Sequence, residues 1–182
     1  MVKTTSEMMS SLVLNESATI SVDGEAADKY IQEVFEHNDF KSNLVKYLEP
    51  MFATGGIAAR PYVDNNTNNI EFSWALANAF YPLKATSNGI SEAVIVFKSF
   101  IVEDKKQVFY TLLEFHEWDG NTIKITNELY RSSDSNVVGT RVPLGTGGQY
   151  EGLEETTELI NMTKPLFNYL KPSGFNNFSL GS

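Results

Sequence analysis

The sequence contains no cysteine and only two histidines, His37 and His116. The first absence rules out disulfides, thiolate metal sites and cysteine nucleophiles. The second leaves any zinc site short of its usual nitrogen ligands. Without cysteine, a cytosolic or virion-internal origin fits the chain. Long apolar runs are missing too. The longest, AVIVF at residues 93–97, is far shorter than the roughly 20 residues needed to cross a bilayer. The opening MVKTTSEMMSSLVLNES lacks a basic stretch followed by an apolar one, so no secretory leader is expected. The Asn15, Asn65 and Asn161 sequons then carry no weight. Positive charge is scarce: 14 Lys and Arg stand against 23 Asp and Glu, a net charge of −9. Gripping nucleic acid by its phosphates needs a basic surface. The chain has no Lys/Arg cluster with interleaved aromatics, so no sequence-specific nucleic-acid binding is expected. A protein that lets nucleic acid slide past ungripped stays possible.

What is present reads as α+β, with N-terminal helices followed by an antiparallel β-meander. We expect a single domain over residues 1–182. Its helical part covers about 1–56 and its sheet part about 57–182. Met8, Met9, Leu12 and Val13 fit a short helix over residues 6–14, capped by Ser6. Asp23 suits the cap of a second helix with Ala27, Tyr30, Ile31, Val34 and Phe35 inward. Asp39 suits the cap of a third, with Phe40, Leu44, Leu48, Met51 and Phe52 inward. Pro50 should kink or shorten that helix, and Gly55 and Gly56 end it. IAARPYVD and IEFSW then read as strands around the loop NNTNN. Residues 90–132 read as a three-stranded meander with turns at EDKK and DG. The tail beyond Ser133 is rich in Gly, Ser, Asn and Pro. It reads as loops around one short element and a final strand, PLFNYLK.

Several motifs fall short of chemistry. DNNTNN begins like a calcium loop at Asp64, Asn66 and Asn68, but Asn69 and Ala75 stand where the loop needs Gly and Glu. GTRVPLGTGGQY has no Gly-Lys-Ser/Thr and reads as a flexible loop. No Gly-x-Ser-x-Gly elbow occurs. The acidic EGLEE reads as a solvated surface or docking patch.

One stretch concentrates polar chemistry: YTLLEFHEWDGNTIKITNELYRSSD. If Asp119-Gly120 is a two-residue turn, Trp118 pairs with Asn121. His116 then faces Ile123, Glu114 faces Ile125 and Tyr110 faces Leu129. Residues of one parity share a face. So Glu114, His116 and Trp118 point one way, and Leu113, Phe115 and Glu117 the other. Glu117 cannot join Glu114 and His116 at a metal without a bulge. Glu114 and His116 are expected to pair at the edge of an apolar face or within an interface. Both faces of the hairpin are apolar, so both want cover.

The segments MFATGGIAARPYVD, IEFSWALANAFYPL, ISEAVIVF, LLEFHEWDGNTIKITNELY, GTRVPL, YEGLEE and KPLFNYLKPSGFNNFSLGS, in this order, carry a family resemblance. The chain resembles the portal proteins of long-tailed phages and prophages of Gram-positive bacteria, also called minor structural or minor capsid proteins. The resemblance implies a non-enzymatic role without cofactor or metal. It implies a ring at one capsid vertex through which DNA is packaged and later ejected. The implied partners are other portal subunits and the capsid or scaffolding protein. Terminase and tail adaptors would bind regions absent from this sequence. No membrane is implied, and the implied locations are the virion's portal vertex and, during assembly, the host cytoplasm. Family members run on into stem helices beyond FNNFSLGS, so the chain is expected to be a wing-domain fragment. The candidate interface is the hairpin face with Glu114, His116, Trp118 and Ile123. Two other readings stay open. One is a generic acidic protein-interaction module. The other is a metal-dependent hydrolase using Glu114 and His116.

Overall fold

Two helices, joined by only Asn38 and Asp39, lead into the sheets. The computed structural model describes residues 20–64, 67–87 and 89–172. The helix expected over residues 6–14, with its Ser6 cap, lies outside them. Helix α1 spans Glu25–His37 and α2 spans Phe40–Thr54. Nine strands follow among the described residues: β1 Ile57–Val63, β2 Ile70–Leu76, β3 Phe80–Thr86, β4 Gly89–Glu103, β5 Lys106–Trp118, β6 Ile123–Ser132, β7 Thr140–Val142, β8 Thr156–Leu159 and β9 Asn168–Leu170.

The helix starts differ from expectation. Asp23 does not cap α1. Gly24 sits at the boundary with φ 99°, and Asp28 turns back to accept the Val22 N–H at 3.0 Å. Nor does the Asp39 side chain cap α2. Its backbone is left-handed at φ 46°, whereas a capping side chain needs an extended backbone to reach the first-turn amides. The apolar stripe of α1 is also narrower than its spacing suggests. Val34 is buried and Phe35 stacks on Phe40 at 4.5 Å, but Ala27 and Tyr30 are exposed. The contact forms at the helix joint, so it engages only the last turns of α1. Pro50 does not shorten α2, which runs on to Thr54. There Gly55, at φ 89°, donates its N–H to the Met51 carbonyl at 2.8 Å. Glycine enters this left-handed end without a steric penalty.

The chain divides into two compact units. The division does not follow the change from helix to strand near residue 56. Unit one carries α1, α2 and the three-stranded sheet β2-β1-β9, while unit two spans Asn78–Phe167. In unit one, Leu48 and Met51 of α2 pack on Ile57, with Tyr47, Trp74 and Leu170 around them. Strands β1 and β2 form the expected hairpin. Asp64 closes its polar turn by accepting the Thr67 N–H at 2.8 Å. Of the expected final strand PLFNYLK, only Asn168–Leu170 is strand, paired with β1.

Asn38 ties the helices to this sheet. Strand β2 is an edge, so its outward amides lack a strand partner. The Asn38 side chain donates to Ile70 O at 2.8 Å and accepts from Phe72 N–H at 3.1 Å. It thus replaces one rung of a missing strand. The same amide also donates to Val34 O at 2.8 Å, which fixes the end of α1.

Unit two is a six-stranded antiparallel sheet, β3-β4-β5-β6-β7, with β8 also paired to β6. Its centre, β4–β6, is the expected meander over residues 90–132. The β4–β5 turn is Asp104-Lys105, with φ of 47° and 65° between the paired Glu103 and Lys106. Positive φ at both positions is the type I′ signature, reached here without glycine. The β5–β6 turn is longer than expected. Trp118 pairs with Ile123, His116 with Ile125, Glu114 with Asn127 and Tyr110 with Arg131. Each pairing lies two residues from its expected place. The Asp119 carboxylate causes the slip. It accepts the N–H groups of Asn121 at 3.0 Å and Thr122 at 2.8 Å, which builds a four-residue loop. A shift of two preserves parity, so each side chain keeps its face.

Candidate interaction surface

The polar pair lies in the core. Along β5 the even-numbered side chains face inward: Val108, Tyr110, Leu112, Glu114 and His116 are all buried. Glu114 is 3 % exposed and His116 1 %. His116 Nε2–H donates to Glu114 Oε1 at 2.7 Å. The Phe167 ring meets the imidazole edge-on at 5.6 Å. Ala93 and Ile125 are the His116 neighbours on β4 and β6. Glu114 and His116 pair with each other, but inside the core rather than at the edge of an apolar face. Nδ1 of His116 has no partner. A buried polar group earns its place only when bonded, so the Glu114 contact carries the stability of this spot.

Asn127 extends the polar strip on β6. It lies in the gap between β7 and β8, which both pair with that strand. Its backbone N–H donates to Glu155 O and its side chain to Glu154 O, each at 2.9 Å. EGLEE thus works through its backbone, while the side chains of Glu151, Glu154 and Glu155 stay exposed. At the other end of the inner face, Glu103 of β4 accepts from Arg131 Nη2 at 2.6 Å and from Tyr110 Oη at 3.1 Å. The Arg131 guanidinium, and less so the Tyr110 hydroxyl, hold the Glu103 carboxyl below its ordinary value.

The cover of the inner face comes from the tail. Leu144 joins Val108, Tyr110, Leu112 and Leu129 in one buried cluster, with Tyr150 and Leu153 against it. Gly147, at φ 82°, lies so close to the Tyr110 ring that a Cβ there would touch it. The stretch expected to be a flexible loop therefore contains strand β7 and one side of the core.

This geometry moves the candidate contact surface. Glu114, His116 and Ile123 are buried inside the unit, and Trp118 is half-buried with its indole N–H unpartnered. The parity reading placed these side chains on one face correctly, but that is the covered face. Exposed apolar groups of β3 and β4 lie on the opposite one. Phe100 is 56 % exposed, Val102 66 % and Tyr81 53 %. The half-buried Phe109, Leu113 and Phe115 of β5 share that face. The sequence already showed both faces to be apolar. Which one the tail covers was hidden in a stretch of glycines.

Among the described residues, no three His, Asp or Glu side chains gather around a common point. The cavity of about 350 Å³ in unit one is lined by Phe35, Asp39, Phe40 and Lys41, with neither Glu114 nor His116 in its wall. No described helix is long and apolar enough to cross a membrane.

No curated protein matches the chain. Comparison with protein families gives a match over residues 1–165, under the description "Phage portal protein, SPP1 Gp6-like". The matched stretch takes in both helices, the meander and the tail that covers it. It also includes every segment on which the resemblance rested up to Lys164–Pro165. The structure has the expected order, helices first and antiparallel strands after. The chain therefore belongs to the phage portal protein family of the SPP1 Gp6 type.

Proposed function

We propose that this chain is the outer, wing part of a portal ring and acts through contacts with neighbouring subunits and with the capsid or scaffolding protein. The observation that carries this reading is the family match over residues 1–165. The family is structural. In this reading the chain performs no catalysis and needs no cofactor or metal. DNA passes the ring without being gripped, which suits a net charge of −9. Terminase and tail adaptors bind other parts of the ring. Assembly takes place in the host cytoplasm and ends at the portal vertex of the virion.

The physical layout supports a scaffold. Long strands in β4, β5 and β6 make a stiff plate with one covered and one open apolar face. The hydrolase alternative requires an open pocket at Glu114 and His116, where the structure has packed side chains. Immunogold electron microscopy of virions with antibody to this chain tests the reading. Label at a single vertex of each capsid is expected. Label spread over the shell, or confined to the tail tip, would contradict it.

A further inference from the structure

We infer that His37, Asn69 and Glu71 form a surface site for a divalent transition ion of the zinc type, which clamps the end of α1 to the β1–β2 hairpin. The three side chains come from separate places in unit one. His37 is the last residue of α1, Asn69 ends the turn before β2, and Glu71 lies in β2. His37 Nε2 is 3.3 Å from the Asn69 amide and 3.9 Å from Glu71 Oε1. Two donors held by one tetrahedral ion at about 2.1 Å each stand roughly 3.4 Å apart. The Asn69 spacing already fits. The Glu71 spacing closes by a small rotation of a half-buried side chain.

The chemistry of the donors points to a cation. Asn69 Nδ2 can only donate, so His37 Nε2 accepts and presents its lone pair to the site. Neutral imidazole is the form that binds metals. Turning the Asn69 amide over offers its carbonyl oxygen as a third donor. The backbone of Asn69 is held in place by the Asp64 N–H at 3.0 Å. Tyr62, the β1 neighbour of Glu71, donates its O–H to Glu71 Oε2 at 2.8 Å. That bond orients the carboxylate and leaves Oε1 for the ion, the kind of support that ligating carboxylates regularly have. A cation here also lies at the negative end of the α1 dipole. One imidazole, one carboxylate and one amide leave the fourth position to water, so binding is weaker than in a closed site of four protein ligands. Calcium and magnesium, which want more oxygens, are poorly served. The portal role needs no metal. The ion adds a clamp at the corner where Asn38 already ties α1 to β2.

The chain has no cysteine, and its other histidine, His116, is 1 % exposed, so background binding is low. Zinc chloride titrated into the full chain in a calorimeter should show one site, and calcium chloride none. In NMR spectra the resonances that zinc shifts should be those of His37, Asn69 and Glu71. His37→Ala, and Tyr62→Phe, which keeps every ligand, should each weaken zinc binding by about tenfold or more. Zinc should raise the melting temperature of the parent but not of His37→Ala. Circular dichroism should show both variants folded. No zinc binding at millimolar concentration would overturn the inference and leave His37 and Glu71 as a plain ion pair. Zinc binding that survives His37→Ala, or that Tyr62→Phe leaves untouched, would overturn it as well.

Discussion

Replacing Glu114 by alanine removes the acceptor that lies 2.7 Å from His116 Nε2. Nδ1 already lacks a partner, and the ring is 1 % exposed. The substitution therefore leaves an imidazole in the core with neither nitrogen bonded. Leaving a buried polar group without its hydrogen bond costs about 1–3 kcal/mol. Replacing both residues by leucine removes both polar groups, and its cost should stay within about 1 kcal/mol of zero. The assay is urea denaturation followed by fluorescence in a Trp74→Phe background. Trp118, two residues from His116, then reports alone. With a slope of about 1–3 kcal/mol per molar urea, the Glu114→Ala midpoint should fall by about 1 M. The double variant should stay near the parent. A loss below about 1 kcal/mol for the single variant would refute the reasoning. So would a double variant as weak as the single one, because the pair would then not be a coupled, buried unit.

Three further outcomes are expected. Asn38→Ala should cost about 2–4 kcal/mol, since it strips Ile70 O and Phe72 N–H of their shared partner. Amide exchange at Phe72 should accelerate with it. Lys105→Gly should stabilise unit two by about 1 kcal/mol, since the residue sits at φ 65° in a turn that favours glycine there. Thermal unfolding would reveal the gain. The backbone amides of Thr122, then Asn121, hold the Asp119 carboxyl below its usual value. Its folded pKa is depressed, so its contribution is present at neutral pH and lost as pH falls through the folded value. A carbon-detected NMR titration should give Asp119 a midpoint below the ordinary value of about 3.9. Asp119→Asn should remove that part of the acid sensitivity.

The meander could be read from sequence because its strands are long and rich in large apolar residues, which fixes both the strand period and the parity of each side chain. Turn chemistry was harder to read. Asp119-Gly120 looks like a two-residue turn, yet only Gly120 has positive φ, and the Asp119 carboxylate lengthens the loop. The true type I′ turn, Asp104-Lys105, carries no glycine to signal it. The side of the sheet that meets solvent was equally hidden. Phe109, Leu113 and Phe115 are as apolar as Val108, Tyr110 and Leu112. The choice between the faces is made by Leu144, Tyr150 and Leu153 from a tail that reads mostly as loop, and by Phe167 from the expected final strand. Hence Glu114, His116, Trp118 and Ile123 drew attention as a surface, although three of them are core and Trp118 is half-buried. The role of Asn38 left no sequence signal. A lone asparagine between two helices reads as a breaker, and its sheet partners lie more than 30 positions away.

The most direct test of the structural role is the native mass of the full-length protein, measured by light scattering and paired with electron micrographs of the same peak. The account predicts one species many times the chain mass, seen as a ring with a central hole. A monomer or a small dimer across the concentration range would contradict it.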